Sequence, residues 1–468
     1  MSQRTRFPRE AWVPLIAGLL WLWNAPWHGF IGFLFSVIPG CLLLASGVTM
    51  LLMPGDRRIA QFAALGGALG LIFALPAFIV VGFFSGLLLV AASLASMIAA
   101  GSHSVLVEPA VPGVPEPPPS NALSLQVAID EALLATMTLT NRLPQAGDHE
   151  RIDEEIADAI EFFDAQGWLE KPINYHVTPP SLANPEIRDC RSRNVAYEHL
   201  SFDSEYEPHL GEPGRERWLS HGANRRAHAW VLRHDDGPRP WLVGIHGYRM
   251  GLPLVDLLAF APEYFHERLG LNLLLPVLPF HGPRKVERHG GDGFIGAEVL
   301  DTAHAEAQAM WDIRRMLSWV RGQDATGVGT LGLSLGGYNA ALLACLDDDL
   351  RCAILGIPLA DFARAMFRHA PPQHLKAAEE AGIDHDRTRL VLRVVSPLVL
   401  EPKVDKQHRS IFAASADRLV PADQPRDLWR HWDEPRIEWY PGGHVTFRAH
   451  ASVRRLVVES LRGAGLVV

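Results

Sequence analysis

A serine flanked by glycines stands where a strand-like stretch of the sequence passes into a helix-like one. Gly332-Leu333-Ser334-Leu335-Gly336 follows an apolar, β-rich segment and precedes the helix-forming residues 338–343. At a sharp strand-to-helix turn a serine exposes its hydroxyl, and glycines two residues away on either side let neighbouring chain approach closely. The helix N-terminus then presents the N–H of Leu335 to an oxyanion. We therefore predict that Ser334 is a nucleophile for acyl transfer, with a purely structural turn as the alternative.

An acid and a histidine follow this serine in the order expected for such a site. Asp417 comes just after a strand-like segment, and His444 lies in a glycine-rich loop after the last strand-like segment. Asp417 is expected to hold the imidazole of His444 in its reactive tautomer and to stabilise the imidazolium. Asp361 is the alternative acid, and a turn or helix-cap role is the alternative for Asp417.

A second oxyanion donor is predicted upstream, where a strand-like segment ends in His246-Gly247-Tyr248. The loop after this strand would supply the backbone N–H of Tyr248 or of Gly247. His246 is not the expected base, because it precedes the serine whereas the histidine should come last.

Short apolar strands alternate with helices from about residue 196 onward, which predicts βαβ units and a mostly parallel α/β sheet around these residues. The predicted strands are 227–233, 241–245, 271–278, 327–333, 352–357, 410–414 and 436–439. The predicted helices are 302–320, 337–346, 424–431 and 452–461. Residues 360–409 are long for a loop and contain helical patterns at 362–368 and 374–380, so we expect a cap over the site.

A basic, glycine-rich loop follows the third predicted strand, from Pro279 to Gly293. The sequence is equally typical of a site for an anionic group and of a chain of structural turns. Both interpretations stay open at this stage.

Taken in order, these motifs make residues from about 220 to 468 resemble the α/β-hydrolase superfamily. Gly-Leu-Ser-Leu-Gly-Gly and Ser-Ala-Asp-Arg-Leu-Val-Pro are similar to motifs of its esterase, dienelactone-hydrolase-like and prolyl-oligopeptidase-like branches. The resemblance implies an eight-stranded sheet, a Ser334–His444–Asp417 triad and no metal or organic cofactor. It favours a hydrolase that cleaves a carboxylic ester through an acyl-enzyme. A peptidase or acyltransferase would use the same triad, and a non-catalytic scaffold is the alternative outside enzymes.

The first hundred residues have a different composition, because residues 11–101 contain only three charged side chains, those of Asp56, Arg57 and Arg58. The apolar stretches 11–53 and 59–100 are each roughly twice the ~20 residues that one membrane-crossing helix needs. Interruptions at 24–29 and near Pro76 or Gly82 predict two helical hairpins, hence four transmembrane spans, with three as the alternative. A cleaved signal peptide is excluded because its apolar part would be much shorter.

Arginines before residue 10 and the pair Arg57-Arg58 favour the cytoplasmic side of a membrane. Four spans then leave the rest of the chain in the cytoplasm, whereas three spans leave it outside. A proline-rich linker is predicted at 102–121 and a helical connector at 122–195, including an amphipathic helix at 151–166. The catalytic domain would occupy 196–468.

The overall composition limits the partners of this chain. The net charge is −9, which argues against a nucleic-acid surface, and the four cysteines have no metal-binding spacing. The predicted partners are the membrane and a small-molecule or lipid ester, and the sequence contains no signal for an oligomeric state.

Overall fold

The computed structural model describes residues 9–24, 29–141 and 147–468. They form two compact units. One contains the described residues up to Thr140 together with 413–423 and 439–451, and the other contains 141–412, 424–438 and 452–468. The core of the predicted break at 24–29, residues 25–28, and the arginines at positions 4 and 6 lie outside the described residues.

The described N-terminal region is almost entirely helical. Its α-helices are α1 (Trp12–Asn24), α2 (Gly29–Leu52), α3 (Arg58–Val81), α4 (Phe83–Val107) and α5 (Asn121–Thr140). Gly82 separates α3 from α4 with a φ of 84°, a left-handed conformation that glycine adopts without strain. The second predicted hairpin therefore turns at Gly82, and α4 continues past residue 101 to Val107.

Four helices of this region, α2 to α5, are long enough and apolar enough to cross a membrane. The sequence analysis also predicted four, but counted α1 and not α5. The described part of α1 has 13 residues, or about 20 Å at 1.5 Å per residue. α5 meets the criteria of length and hydropathy although it contains two adjacent carboxylates, Asp130 and Glu131.

α5 differs from the other helices in the surface it exposes. Large apolar side chains stand exposed along α1 to α4, among them Trp23 at 75%, Ile79 at 88% and Phe84 at 84%. On α5, the described large apolar side chains are buried or half-buried except Leu139. Its Ala128 packs into an apolar cluster with Ala64 of α3 and other residues of the helical region. The outer surfaces of α1 to α4 are therefore suited to lipid, whereas α5 is largely covered by protein.

The second architectural element is a sheet of nine strands among the described residues. The strands are β1 (Glu186–Ser192), β2 (Val195–Asp203), β3 (Arg226–Leu232), β4 (Trp241–Ile245), β5 (Asn272–Val277), β6 (Val328–Leu333), β7 (Cys352–Gly356), β8 (Arg409–Ala414) and β9 (Arg436–Tyr440). Their order is β1-β2-β3-β5-β4-β6-β7-β8-β9. β1, β2 and β3 run antiparallel to their neighbours, while β5, β4, β6, β7 and β8 pair in parallel.

All seven predicted strands are present, with boundaries that agree within one residue. The expected count of eight strands is wrong, because the sheet has nine. The two strands absent from the seven predicted ones are β1 and β2, which pair with each other at one edge of the sheet. β1 falls in the stretch predicted as a helical connector, and its sequence Glu-Ile-Arg-Asp-Cys-Arg-Ser is mostly charged and exposed. An edge strand that buries little surface lacks the alternation of apolar residues that would have identified it.

Helices accompany the strands as expected for an α/β architecture. They are α6 (Asp148–Ala165), α7 (Arg215–Ser220), α8 (Pro253–Phe260), α9 (Val299–Arg321), α10 (Leu335–Leu346), α11 (Phe362–His369), α12 (Pro372–Glu380), α13 (His385–Val391), α14 (Asp423–His431) and α15 (Ala451–Gly463). α11, α12 and α13 lie in the insertion predicted as a cap. Arg387 of α13 forms an ion pair with Asp153 of α6.

Candidate active site

The predicted nucleophile occupies a strained turn between β6 and α10. Ser334 has φ of 58° and ψ of −114°, a conformation that costs a residue other than glycine about 1–3 kcal/mol. Its backbone is held on both sides, because its N–H donates to the oxygen of Gly356 at 2.8 Å and its own oxygen accepts from Leu359 at 3.2 Å. The turn therefore has the strained backbone of a nucleophile elbow.

Two glycines of this turn are required by close approach of the backbone. A Cβ atom on Gly332 would lie 1.9 Å from the oxygen of Gly336, and a Cβ atom on Gly336 would lie 1.9 Å from the oxygen of Ile245. No side chain fits at either distance. Gly332 thus lets the turn fold closely onto itself, and Gly336 lets it pack against the end of β4.

The upstream loop lies beside the serine, as predicted. A Cβ atom on Gly247 would be 3.4 Å from the Cβ of Ser334. The N–H of Gly247 donates to Sδ of Met250 at 3.3 Å, whereas among the described residues no acceptor is found for the N–H of Tyr248. Of the two predicted upstream donors, Tyr248 is therefore the one whose N–H is available. Leu335 is the first residue of α10, where backbone N–H groups lack helical partners.

His246 has a structural role in the same loop. Its ring is buried; Nδ1 lies 2.8 Å from the oxygen of Gly247, and Nε2 accepts from the N–H of Leu278 at 3.1 Å. Nε2 therefore ties the loop after β4 to the residue that follows β5, and Nδ1 is bonded within the loop itself, so both ring nitrogens have structural partners.

The predicted acid and base are directly hydrogen-bonded. Oδ2 of Asp417 lies 2.7 Å from Nδ1 of His444, and both side chains are buried. Oδ1 of Asp417 accepts from the N–H groups of Leu419 at 2.9 Å and of Val420 at 2.8 Å. The carboxylate is thus fixed by its own loop and accepts the Nδ1 proton of His444. This pairing leaves Nε2 of the imidazole as the nitrogen that can take up a proton.

The charge state of His444 is set by its surroundings. Burial lowers the pKa of His444, but the carboxylates of Asp417 and Asp130 raise it, and the resulting pKa lies above the ordinary value for histidine. The raised pKa makes the imidazole a stronger base.

Asp130 is the residue of this site that the sequence analysis missed. Its Oδ2 accepts from the backbone N–H of His444 at 2.7 Å and from that of Arg418 at 3.2 Å. Asp130 lies in the middle of α5, far from both residues in the sequence, and it is fully buried. The available signal was an ionisable pair, Asp130-Glu131, inside a largely apolar helix, a pattern that by itself indicates a special role.

Two other candidates have structural roles. Asp361 caps the N-terminus of α11, where its Oδ1 accepts from the N–H of Arg364 at 3.0 Å. Arg284, in the glycine-rich loop, is fully buried and pairs with Asp312 at 2.8 Å. Its guanidinium also donates to the oxygens of Val277 and Asn224. The guanidinium of Arg284 therefore has structural partners inside the protein. This favours the interpretation of that part of the loop as structural turns over a site for an anionic group.

The site residues thus divide between the two units. Asp417 and His444 come together in the unit that contains α1 to α5, and Asp130 joins them there. Ser334, Leu335, Gly247 and Tyr248 belong to the other unit, in which Gly247 adjoins the serine.

The parallel strands β5, β4, β6, β7 and β8 and the strained serine between β6 and α10 define an α/β-hydrolase fold. No protein-family model matches the chain. Two uncharacterized proteins of Mycobacterium tuberculosis are close relatives. The one from strain CDC 1551 is 44% identical over 358 residues, which cover 75% of this chain and 84% of the relative. The one from strain H37Rv is 43% identical over the same length. The chain therefore belongs to the same family as these mycobacterial proteins.

Solved structures resemble the chain more distantly. An acetyl xylan esterase from Paenibacillus sp. R4 has 18% identity and a TM-score of 0.43, covering 64% of this chain and 94% of its own. Acetyl xylan esterase 1 from Thermoanaerobacterium sp. has 14% identity and a TM-score of 0.44, covering 65% and 93%. At these scores, the assignment of the fold rests on the sheet and the serine turn.

Proposed function

We propose that the protein is a membrane-anchored serine hydrolase that cleaves a carboxylic ester through an acyl-enzyme on Ser334. The observation that carries the proposal is the buried hydrogen bond of 2.7 Å between Asp417 and His444. A turn or cap aspartate would have no reason to orient a buried imidazole. The strained backbone of Ser334 supports the proposal, because such strain concentrates at functional sites.

In this mechanism Nε2 of His444 takes the proton of the Ser334 hydroxyl while Oγ attacks the carbonyl carbon of the ester. The Asp417 carboxylate stabilises the imidazolium that forms. The N–H groups of Leu335 and Tyr248 donate to the oxyanion, with Gly247 as the alternative second donor. His444 then protonates the departing alcohol, and a water molecule deprotonated by His444 releases the acid from Ser334.

Membrane anchoring is proposed for α1 to α4, whose exposed apolar side chains require an apolar environment. In this arrangement Arg57 and Arg58 lie on the cytoplasmic side, and an even number of helices returns the chain to that side after α4. α5 and the hydrolase domain would then be cytoplasmic. A substrate near the membrane, such as a lipid ester, suits this placement.

A fluorophosphonate probe tests the nucleophile in membranes from cells that express the full chain. The wild type should be labelled, and Ser334→Ala should lose labelling and roughly 10⁶-fold in esterase kcat. Ser220→Ala is the matched control, because Ser220 is exposed and its hydroxyl donates to the oxygen of Arg217 in its own helix. Equal labelling of wild type and Ser334→Ala would refute the proposal.

Product analysis separates the reaction classes that share this triad. Ester, peptide and alcohol-acceptor substrates should be compared with the same membranes, and we expect turnover of esters to dominate. Turnover of peptides alone would indicate a peptidase, and acyl transfer to the alcohol would indicate an acyltransferase. A membrane-impermeant probe should label lysed but not intact cells if the domain is cytoplasmic.

A further inference from the structure

The catalytic acid and base belong to loops that rest on a helix of the N-terminal region. α5 contacts the loop of Asp417 through the apolar side chains of Leu123 and Val127, which pack against Ala416. It contacts the loop of His444 through Gln126, whose Oε1 accepts from Thr446 Oγ1 at 3.0 Å. One helix therefore supports both loops on one face.

Asp130 lies at the centre of this contact. A single oxygen, Oδ2, accepts from the N–H of His444 and from the N–H of Arg418, the residue next to Asp417. The same carboxylate oxygen thereby fixes the spacing of the acid loop and the base loop. These two hydrogen bonds are strongest when Asp130 is ionised, because hydrogen bonds to an ionised acceptor are shorter and about twice as strong as neutral ones.

The two glycines before His444 are explained by this helix. A Cβ atom on Gly443 would lie 2.8 Å from Oδ2 of Asp130, and one on Gly442 would lie 2.6 Å from Oε1 of Gln126. The glycine-rich sequence therefore lets the loop approach α5 closely enough for the N–H of His444 to reach Asp130.

The contact continues into α4. Nε of Arg418 donates to Oγ of Ser104 at 2.8 Å, and Oγ of Ser104 donates to Oε1 of Glu131 at 2.5 Å. The residue after the catalytic acid is thus anchored to α4 by its side chain and to α5 by its backbone.

Oδ1 of Asp130 is buried and has no hydrogen-bond partner among the described residues. A carboxylate is expensive to bury without full hydrogen bonding, so Asp130 is a poor choice for a purely structural anchor. An asparagine could accept both N–H groups with its side-chain oxygen. Burial and the neighbouring carboxylate of Asp417 raise the pKa of Asp130 to about 7, while the imidazole of His444 and the two N–H donors favour its charged form. The charged form, present above that pH, lies close enough to the imidazole of His444 to raise its pKa.

We propose that Asp130 is a positioning residue of the active site, which fixes the loops of Asp417 and His444 in register and stabilises the imidazolium by its charge. The inference rests on the proposed hydrolase function. It makes the N-terminal helical region part of the catalytic apparatus as well as an anchor.

Two variants of the full-length protein separate the hydrogen bonds from the charge. Asp130→Asn keeps an oxygen acceptor and removes the charge. Its kcat/KM profile should lose activity at a lower pH than the wild type, because the neutral base persists to lower pH when the imidazolium is less stabilised. Asp130→Ala removes both, and we expect kcat to fall about 10- to 100-fold with KM changed less than about two-fold.

Several charged or titratable groups lie near His444 and affect the pH profile. In the described part of this unit they are Asp417, Arg418, Asp130 and Tyr440, with Glu131 behind Arg418. Because only Asp130 is changed, a displaced acidic limb reports its charge. Thr136→Ala is the control variant, since Thr136 is exposed on α5 and its hydroxyl donates to the oxygen of Ala132 one turn earlier.

The outcomes separate this inference from the proposed function. If Ser334→Ala retains labelling, the hydrolase assignment fails. If Ser334→Ala loses labelling but both Asp130 variants keep the wild-type kcat and pH profile, only the positioning role fails. Should Asp130→Ala not accumulate, the pH profile of Asp130→Asn decides, because an unchanged acidic limb in that variant overturns the role of the charge.

Discussion

The two halves of the proposed site are supported in different ways. Ser334 is held by the strands that precede and follow it, and its neighbours Gly332 and Gly336 are part of the same turn. Asp417 and His444 are held by a helix, α5, that precedes them by about three hundred residues. The comparison teaches that the turn of the proposed nucleophile is held by the sheet itself, whereas the loops of the proposed acid and base depend on a helix outside the sheet.

The largest effect is expected from the glycine of the serine turn. Gly336→Ala would place a Cβ atom 1.9 Å from the oxygen of Ile245, so that β4 and the turn have to separate. We expect a loss of stability of roughly 3 kcal/mol or more, together with loss of probe labelling. Thermal melting in detergent measures the first and fluorophosphonate labelling the second.

Gly222→Ala, in the same unit, is the matched control, because among the described residues beyond its chain neighbours no atom lies within 4 Å of a Cβ atom at that position. A Gly336→Ala protein with wild-type melting temperature and labelling would show that the turn tolerates a side chain and that the local description is wrong.

A smaller effect is expected from the corresponding change in the base loop. The backbone of Gly443 has φ of −96°, which alanine adopts freely. Gly443→Ala therefore acts by pushing the loop away from α5, where its Cβ would lie 2.8 Å from Oδ2 of Asp130 and 2.9 Å from the backbone oxygen of Gln126. We expect kcat to fall about 10- to 100-fold while the melting temperature changes by only a few degrees.

Gly55→Ala, in the loop between α2 and α3, serves as its control, since no atom lies within 4 Å of the added Cβ. Unchanged kcat in Gly443→Ala would contradict the dependence of the base loop on α5. If Gly443→Ala lost as much stability as Gly336→Ala, the serine turn and the base loop would not differ in the way described.

The smallest effect concerns the wild type and its pH dependence. Burial lowers and the carboxylates of Asp417 and Asp130 raise the pKa of His444, which ends above its ordinary value. The base has to be neutral to accept the serine proton, so activity should be lost as the pH falls through this raised pKa. The acidic limb of kcat/KM should therefore lie above the ordinary histidine value of about 6.5. An acidic limb below that value would contradict the electrostatic description of the acid and base loops.

Much of the site was accessible from the sequence because its signals are local. The serine turn has two glycines within five residues, and the strands and helices around it are predicted by apolar periodicity. The pairing of Asp417 with His444 was predicted from their order along the chain. β1 and β2 were both missed. β1 is an exposed edge strand without apolar periodicity, and β2 buries only the three residues 200–202 near its end.

The sequence by itself determined the α/β sheet, the apolar N-terminal helices and the identity of the serine, acid and base candidates. It did so because each depends on residues that are neighbours in the chain or in a regular element. Only the tertiary structure decided that Asp361 and Arg284 are structural and that α5 is largely covered by protein. The tertiary structure alone showed that Asp130 accepts a hydrogen bond from the backbone N–H of His444. These facts follow from contacts between segments that are distant in the sequence. Local propensity depends on neighbouring residues alone, so it does not predict which distant groups come into contact.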